Sequence, residues 1–313
     1  MPDVSVLVPS YNHAPFIERT LRSIYEQTLK PKKLIVIDDG SKDESVAVIE
    51  RMMADCPFEA EFRARENRGL SATLNEGFAA LGDEYFAYLG SDDVWLPEFL
   101  DEQTRLLESR PDAVLAFSHS YLIDEDDQVI ACTADWTDYA DGDLLPVLLR
   151  GDIFLSPGVM YRRSALDELQ WNEDSILEDY ELYLLLTELG EFARNEKVLC
   201  GWRQHGWNTS GDFPLMLSEW IAAQERVADR LDLSPAQLDK IRHELKFNAV
   251  FDYIRNGDRV GAFRLFRENI EGARSFSQIL KMLARFAVPP AMFQRNRERK
   301  RLAAIEKYGK IKI

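Results

Sequence analysis

Two pairs of adjacent carboxylates, Asp38-Asp39 and Asp92-Asp93, are the residues of this chain best suited to chemistry. Side-by-side carboxylates raise each other's pKa unless a cation or hydrogen-bond donors offset the repulsion. A divalent ion on a phosphate ester is one such partner, because carboxylate oxygens are its natural ligands. The plainer use of Asp39, Ser41 and Asp93 is to turn the chain and cap helices. Position bears on the choice. Each pair directly follows a predicted strand, Leu34 to Ile37 in one case and Tyr85 to Leu89 in the other. In an open parallel sheet, ligands bind in the crevice beyond the carboxyl ends of strands, so both pairs aim at one place.

The elements that must hold these pairs can be read from periodicity. The β-branched run DVSVLV at 3–8 predicts a strand, and Pro15 followed by Ile17, Leu21, Ile24 and Tyr25 predicts a helix. Strand 34–37 follows, then a helix carrying Val46, Ile49 and Met53, and an edge strand in which Ala60, Phe62 and Ala64 alternate with charges. A helix from Leu70 to Ala80 and strand 85–89 complete a β/α alternation, which implies a mostly parallel sheet flanked by helices. Beyond Pro97 come a helix through Leu107, the run Ala113 to Ser118, a hairpin around 124–128, a strand at Gly158 to Tyr161, and a helix Tyr180 to Leu189 closed by Gly190. From Met216 onward the pattern is wholly helical, with Ser234-Pro235 as a cap and Asn256-Gly257 as a stop. The expected division is residues 1–212, with halves 1–110 and 111–212, and a helical region 213–313.

Composition narrows the function. A chain of 313 residues with 46% hydrophobic content has ample material for a core. No basic leader with an apolar core and no run of about 18 apolar residues occurs, so neither a secretion signal nor a membrane span is expected. Three widely spaced cysteines, Cys56, Cys132 and Cys200, suit a reducing cytoplasm. The net charge of −16 disfavours a broad nucleic acid interface. From 281 to 313, however, ten cations face two glutamates, a local +8 that leaves −24 on the rest. So acidic a body needs a local countercharge to bind a phosphate ester, and a divalent metal supplies one.

Seven segments together resemble family-2 glycosyltransferases of the nucleotide-sugar-binding GT-A type: VSVLVPSYNHAPFIERTLRSIYEQT, LIVIDDGSKDES, NRGLSATLNEGFAAL, EYFAYLGSDDVWLP, SPGVMYRRSAL, LEDYELYLLL and WRQHGWNTS, in order from about Asp3 to Ser210. The resemblance implies that Pro9 and Tyr11 line the base pocket, that Asp39 accepts a hydrogen bond from the base and that Asp38 supports its loop. It implies that Arg68 and Asn75 belong to a segment closing over the nucleotide. Asp93 would coordinate Mn2+ or Mg2+ on the diphosphate, Asp92 would touch the ribose or sugar, and His205, between Trp202 and Trp207, would complete the metal shell or touch the phosphates. Asp179 would be the general base of an inverting displacement. Gly90 stands where many relatives have another Asp, which removes one carboxylate.

The implied reaction moves one sugar from a nucleoside-diphosphate sugar, uridine being the expected base, to a glycan or lipid-linked glycan acceptor of envelope polysaccharide. The Gln-x-x-Arg-Trp motif of processive synthases is absent from its place. Two rivals compete: a binding homologue without chemistry, and a sugar nucleotidyltransferase, which would want a Gly-rich basic loop where Pro9 to His13 stand. Apolar residues interleaved with cations over 278–313 suit either an anionic inner-membrane surface or dimerisation.

Overall fold

The computed structural model describes residues 2–206 and 211–312. Trp207 and the Asn208-Thr209-Ser210 end of the last motif lie outside the described residues. The first part runs β1 (Val4–Ser10), α1 (Ile17–Tyr25), β2 (Lys33–Asp38), α2 (Ser45–Ala54), β3 (Glu59–Ala64), α3 (Leu70–Ala79) and β4 (Tyr85–Tyr88). These four strands pair in parallel in the order β3-β2-β1-β4, with β3 at the edge as its alternating charges predict. The chain steps from β1 outward to β2 and β3, then returns to the other side of β1. The switch between β1 and β4 opens a crevice at their carboxyl ends.

All seven residues of β1 are buried, because helices cover both faces of the sheet. The two-residue strand period divides them. Leu7, Ile35 and Ile37 pack with Leu74 and Phe78 of α3, whereas Val6, Val8, Leu34 and Val36 pack with Ile17, Leu21 and Ile24 of α1. At Gly77 of α3, a Cβ would lie 2.4 Å from Leu7 Cδ1, so any larger residue would force the buried Leu7 side chain to move.

The middle of the chain extends the sheet with β5 (Val94–Trp95), α4 (Phe99–Ser109), β6 (Ala113–Ile123), β7 (Val129–Cys132), α5 (Leu145–Leu148), β8 (Val159–Arg162), α6 (Arg163–Leu166), α7 (Glu178–Leu186) and β9 (Glu191–Arg203). The order continues β4-β8-β6-β9-β5, with β7 hairpinned to β6. β8 is antiparallel to both neighbours and β6 runs parallel to β9, so this half is mixed. The thirteen-residue β9 has no counterpart in the sequence reading. Arg194, Glu196 and Lys197 spoil its alternation, and register shifts against β6 accommodate them. α7 ends at Leu186, ahead of Gly190. Gly190 instead permits close strand approach, since a Cβ there would lie 2.6 Å from the Asp112 carbonyl oxygen.

The C-terminal part is helical, as the sequence predicts: α8 (Phe213–Val227), α9 (Pro235–Arg255), α10 (Arg259–Glu268), α11 (Phe276–Ala287) and α12 (Pro290–Tyr308). Ser234 and Gln237 form a capping box for α9, and Gly257, at φ +91°, stops it. The chain then returns to the sheet. Val129 N–H donates to the Gly309 carbonyl at 2.9 Å, Ile311 N–H donates to the Asp127 carbonyl at 3.0 Å, and Ile311 is buried among Val94, Ile123 and Val129. Among the described residues no helix is long and apolar enough to cross a membrane.

Candidate active site

The loops after β1, β2 and β4 meet in a cleft of about 880 Å³ lined by Pro9 to His13, Asp39, Asn67, Gly69, Thr73, Gly90 to Asp92 and His205. Asp38, fully buried at the end of β2, accepts from Ser41 N–H (2.8 Å), Ser41 Oγ (2.6 Å) and Ser10 Oγ (3.1 Å). These donors replace water and tie the 38–41 loop to β1. Asp39 Oδ1 accepts from the Arg68 N–H at 2.8 Å and the Arg65 guanidinium, while Oδ2 accepts the Gly69 N–H at 2.8 Å. A carboxylate oxygen can accept two donors, and Oδ2, with one, retains capacity for another. Gly40, at φ +81°, brings the two loops together, since a Cβ would stand 2.8 Å from Asn67 N. Tyr11 is 46% exposed and presents its ring at the cleft wall.

Across the cleft, Asp92 is flanked by two imidazoles. His205 Nε2 lies 3.0 Å from Asp92 Oδ2 and His13 Nδ1 lies 3.7 Å from Asp92 Oδ1, with Ser91 Oγ also 2.8 Å from His13 Nδ1. Phe16 stacks on the His205 ring at 5.2 Å and orients it. Burial alone would raise the Asp92 carboxyl; the His205 hydrogen bond and the two nearby imidazoles outweigh it and hold the group below its ordinary value. Burial, reinforced by His205 and opposed by Asp92, holds His13 low, which favours the neutral imidazole that ligates metals. Ligand atoms of His13, Asp92 and His205 all lie within 4.8 Å of one another, so one ion can reach all three. Two nitrogens and a carboxylate fit Mn2+ and its transition-metal neighbours better than Mg2+, which prefers oxygen.

Asp93, expected from the resemblance among the metal ligands, lies behind this group. It is 6% exposed and its Oδ1 accepts the Arg203 N–H at 2.7 Å. Burial and the Asp92 charge push it well above its ordinary value. Gly90 leaves room for both acids: a Cβ there would be 3.0 Å from Asp92 Oδ1 and 3.3 Å from Asp93 Oδ2. The buried Arg203 fixes the loop, donating to the carbonyls of Asp92 and Asp124, each at 2.7 Å, and to Asp127 Oδ1 at 2.6 Å. Sequence reasoning singled out neither Arg203 nor His13, although His13 stands two residues after Tyr11 and Arg203 two before His205.

Two further expected contacts stand apart from the cleft. Arg68 is largely exposed, with its guanidinium 3.8 Å from Glu76. Asn75 spends its amide on Trp171, donating to its carbonyl and accepting its N–H, both at 2.9 Å. It thereby clamps α3 to the loop that leads into α7.

Glu178 and Asp179 open α7, where Asp179 Oδ1 accepts the Tyr180 N–H at 2.7 Å. Burial pushes Asp179 up to about 6, and burial plus the Asp179 charge pushes Glu178 up to about 8. Near neutral pH the pair therefore holds one proton, and desolvation overrides the acidifying helix dipole. Three buried phenol oxygens, those of Tyr88, Tyr161 and Tyr183, lie within reach of the Asp179 charge, each raised first by burial and then by neighbouring charges that include Asp179.

The sequence model described as Glycosyl transferase family 2 matches residues 5–170. An uncharacterized glycosyltransferase of Nostoc is 29% identical over 215 residues, covering 66% of this chain and 66% of the relative. Chondroitin synthase of Escherichia coli is 27% identical over 67% of this chain, a match that spans only 30% of the synthase. Among solved structures, S. aureus TarS 1-349 in complex with UDP-GlcNAc superposes with a TM-score of 0.59 at 16% identity, covering 98% of this chain and 91% of that one. The mannosyltransferase PcManGT of Pyrobaculum calidifontis, in complex with GDP-Man and Mn2+, reaches 0.62 at 18% identity, covering 98% and 88%. Those two likenesses establish a shared fold.

Proposed function

The chain belongs to glycosyl transferase family 2, and from that membership we propose that it is a metal-dependent inverting enzyme. It moves a single sugar from a nucleoside-diphosphate sugar to a hydroxyl of a glycan or lipid-linked glycan in envelope polysaccharide synthesis. The observation that carries this reading is the His13, Asp92 and His205 group at the mouth of the crevice between β1 and β4. Tyr11 stacks on the base and Asp39 Oδ2 accepts the uracil N3–H, an acceptor-only match that selects against cytosine. A divalent transition-metal ion such as Mn2+, held by Asp92, His13 and His205, would supply positive charge to the departing diphosphate.

Asp179 takes the proton of the acceptor hydroxyl as its oxygen bonds to the anomeric carbon from the face opposite the leaving group. The bond from that carbon to the diphosphate oxygen breaks, its electron pair leaves with the nucleoside diphosphate, and the configuration inverts. A carboxylate near 6 is ionised at neutral pH yet a stronger base than an exposed aspartate. Glu178, still protonated there, keeps a second charge away from the base. Contact with an anionic inner-membrane surface through the basic C-terminal end, bringing the enzyme to a lipid-linked acceptor, is part of the same reading.

The test is a thermal-shift matrix of UDP, GDP, CDP and dTDP, each with and without Mn2+, on the wild type and on Asp92→Asn. Ligand at about 100 times its Kd adds about 2.7 kcal/mol of stability. A Mn2+-dependent shift with UDP that Asp92→Asn abolishes is expected, followed by UDP release from a donor and acceptor. No shift with any nucleotide overturns the reading.

A further inference from the structure

The helical end carries an apolar surface that nothing among the described residues covers. On α11 the residues Phe276 (72% exposed), Leu280 (51%) and Leu283 (44%) recur at i, i+4 and i+7, and the exposed Ala284 and Ala287 continue the row. They span about 17 Å at 1.5 Å per residue. The inward side of the same helix is apolar as well, with Met282 packed against Phe247, Val250 and Phe266 of α9 and α10. A helix apolar on both sides has a second partner to meet. α10 extends the outward surface with Val260 (85% exposed) and Phe263 (57%), whose ring meets Phe286 of α11 edge-on at 6.2 Å.

Charge identifies the partner. α11 contains no acidic residue, and from Phe276 to Ile305 Glu298 is the only acid, paired with Arg301 at 3.7 Å. Lys281 flanks the apolar row, and Arg295, Arg297, Arg299 and Lys300 lie on the exposed first half of α12. The remainder of the protein is strongly acidic. An isologous contact between two copies would set these cations against each other. A lipid surface bearing anionic headgroups accepts both the apolar row and its rim.

We infer that the outward face of α11, continued by Val260 and Phe263, is a docking face for an anionic membrane, with the α12 cations on the headgroups. This rests on the reading of the protein as a transferase acting at a membrane, and it names the surface that does so. The test is vesicle co-sedimentation of the full chain with phosphatidylcholine alone and with phosphatidylcholine–phosphatidylglycerol mixtures. Two variants accompany the wild type, Leu280→Gln with Leu283→Gln and Arg297→Glu with Lys300→Glu. All four positions are exposed or at the surface, so the melting temperature and the UDP-induced thermal shift should match the wild type.

Binding confined to anionic vesicles, falling with salt, is expected. The apolar variant should lose it, and the charge variant should weaken it by at least roughly five-fold for each cation removed. Wild-type binding no better than that of the variants overturns the inference, as does a dimer of the wild type that Leu280→Gln with Leu283→Gln dissociates without any vesicle binding. The nucleotide shift is read in the same samples. Its loss in the wild type would point to failure of the transferase reading, whereas a retained shift without vesicle binding would sink the docking face alone.

Discussion

Replacing Asp179 with Asn separates two consequences of burying a carboxyl at the start of α7. Burial raises Asp179 from 3.8 to about 6, so its ionised form is about 2 pKa units less favourable in the folded protein than in the unfolded chain. At 1.36 kcal/mol per unit this costs at most about 3 kcal/mol at pH 8, because the half-buried carboxylate is partly screened by water. A raised carboxyl leaves stability intact below its unfolded pKa and erodes it as pH rises through the folded value. Asn carries no charge, so Asp179→Asn should stabilise the fold by up to about 3 kcal/mol at pH 8 and by only about 0.5 kcal/mol at pH 4. The melting temperature should therefore rise by several degrees at pH 8 and barely move at pH 4. Sugar transfer should fall by roughly 10² to 10⁴, the contribution of a general base. In the wild type, transfer should climb about ten-fold between pH 5 and 7 as Asp179 loses its proton. Thermal unfolding at both pH values, alongside donor turnover, reads all three effects. Turnover within ten-fold of wild type would refute the base. A melting temperature unchanged or lowered at pH 8 would refute the argument from burial.

Paramagnetic titration of Mn2+ should distinguish the two adjacent acids: Asp92→Asn and His13→Ala lose at least roughly ten-fold in Mn2+ affinity, whereas Asp93→Asn, which still offers an oxygen to the Arg203 N–H, keeps it. Equal losses for Asp92→Asn and Asp93→Asn would place the ion between the two acids instead. Asp39→Asn sets an amide group among three donors and should cost about 1 to 3 kcal/mol while abolishing the UDP-induced shift, both visible in one melting experiment. Ile311→Ala removes the tail's contact with Val94, Ile123 and Val129 and should cost about 2 to 4 kcal/mol in urea unfolding; an unchanged midpoint would mean the tail adds nothing to the sheet.

Much of this protein was readable one residue after another, because the signals are local. The strand and helix periods of the first 110 residues, the edge character of β3, and the placing of Asp38-Asp39 and Asp92-Asp93 after strands all follow from patterns a few residues long. The cap at Ser234 and the stop at Gly257 are equally local. What tertiary structure decided depends on burial and on distance through space. Neighbouring residues on a turn point to different sides, so only the folded chain turns Asp92 toward the cleft and Asp93 toward the Arg203 backbone. Nothing near His13 in the chain announces a partner, since Asp92 and His205 reach it from the ends of β4 and β9. The Asn75 amide finds Trp171 ninety-six residues away, and no local pattern encodes such a contact. Strand β9 carries charges that a short window reads as loop, yet pairing with β6 along its length outweighs that preference. The pKa of Asp179 shows the same division: the sequence places a carboxyl at a helix start, which acidifies it, and only its burial in the folded chain reverses the sign.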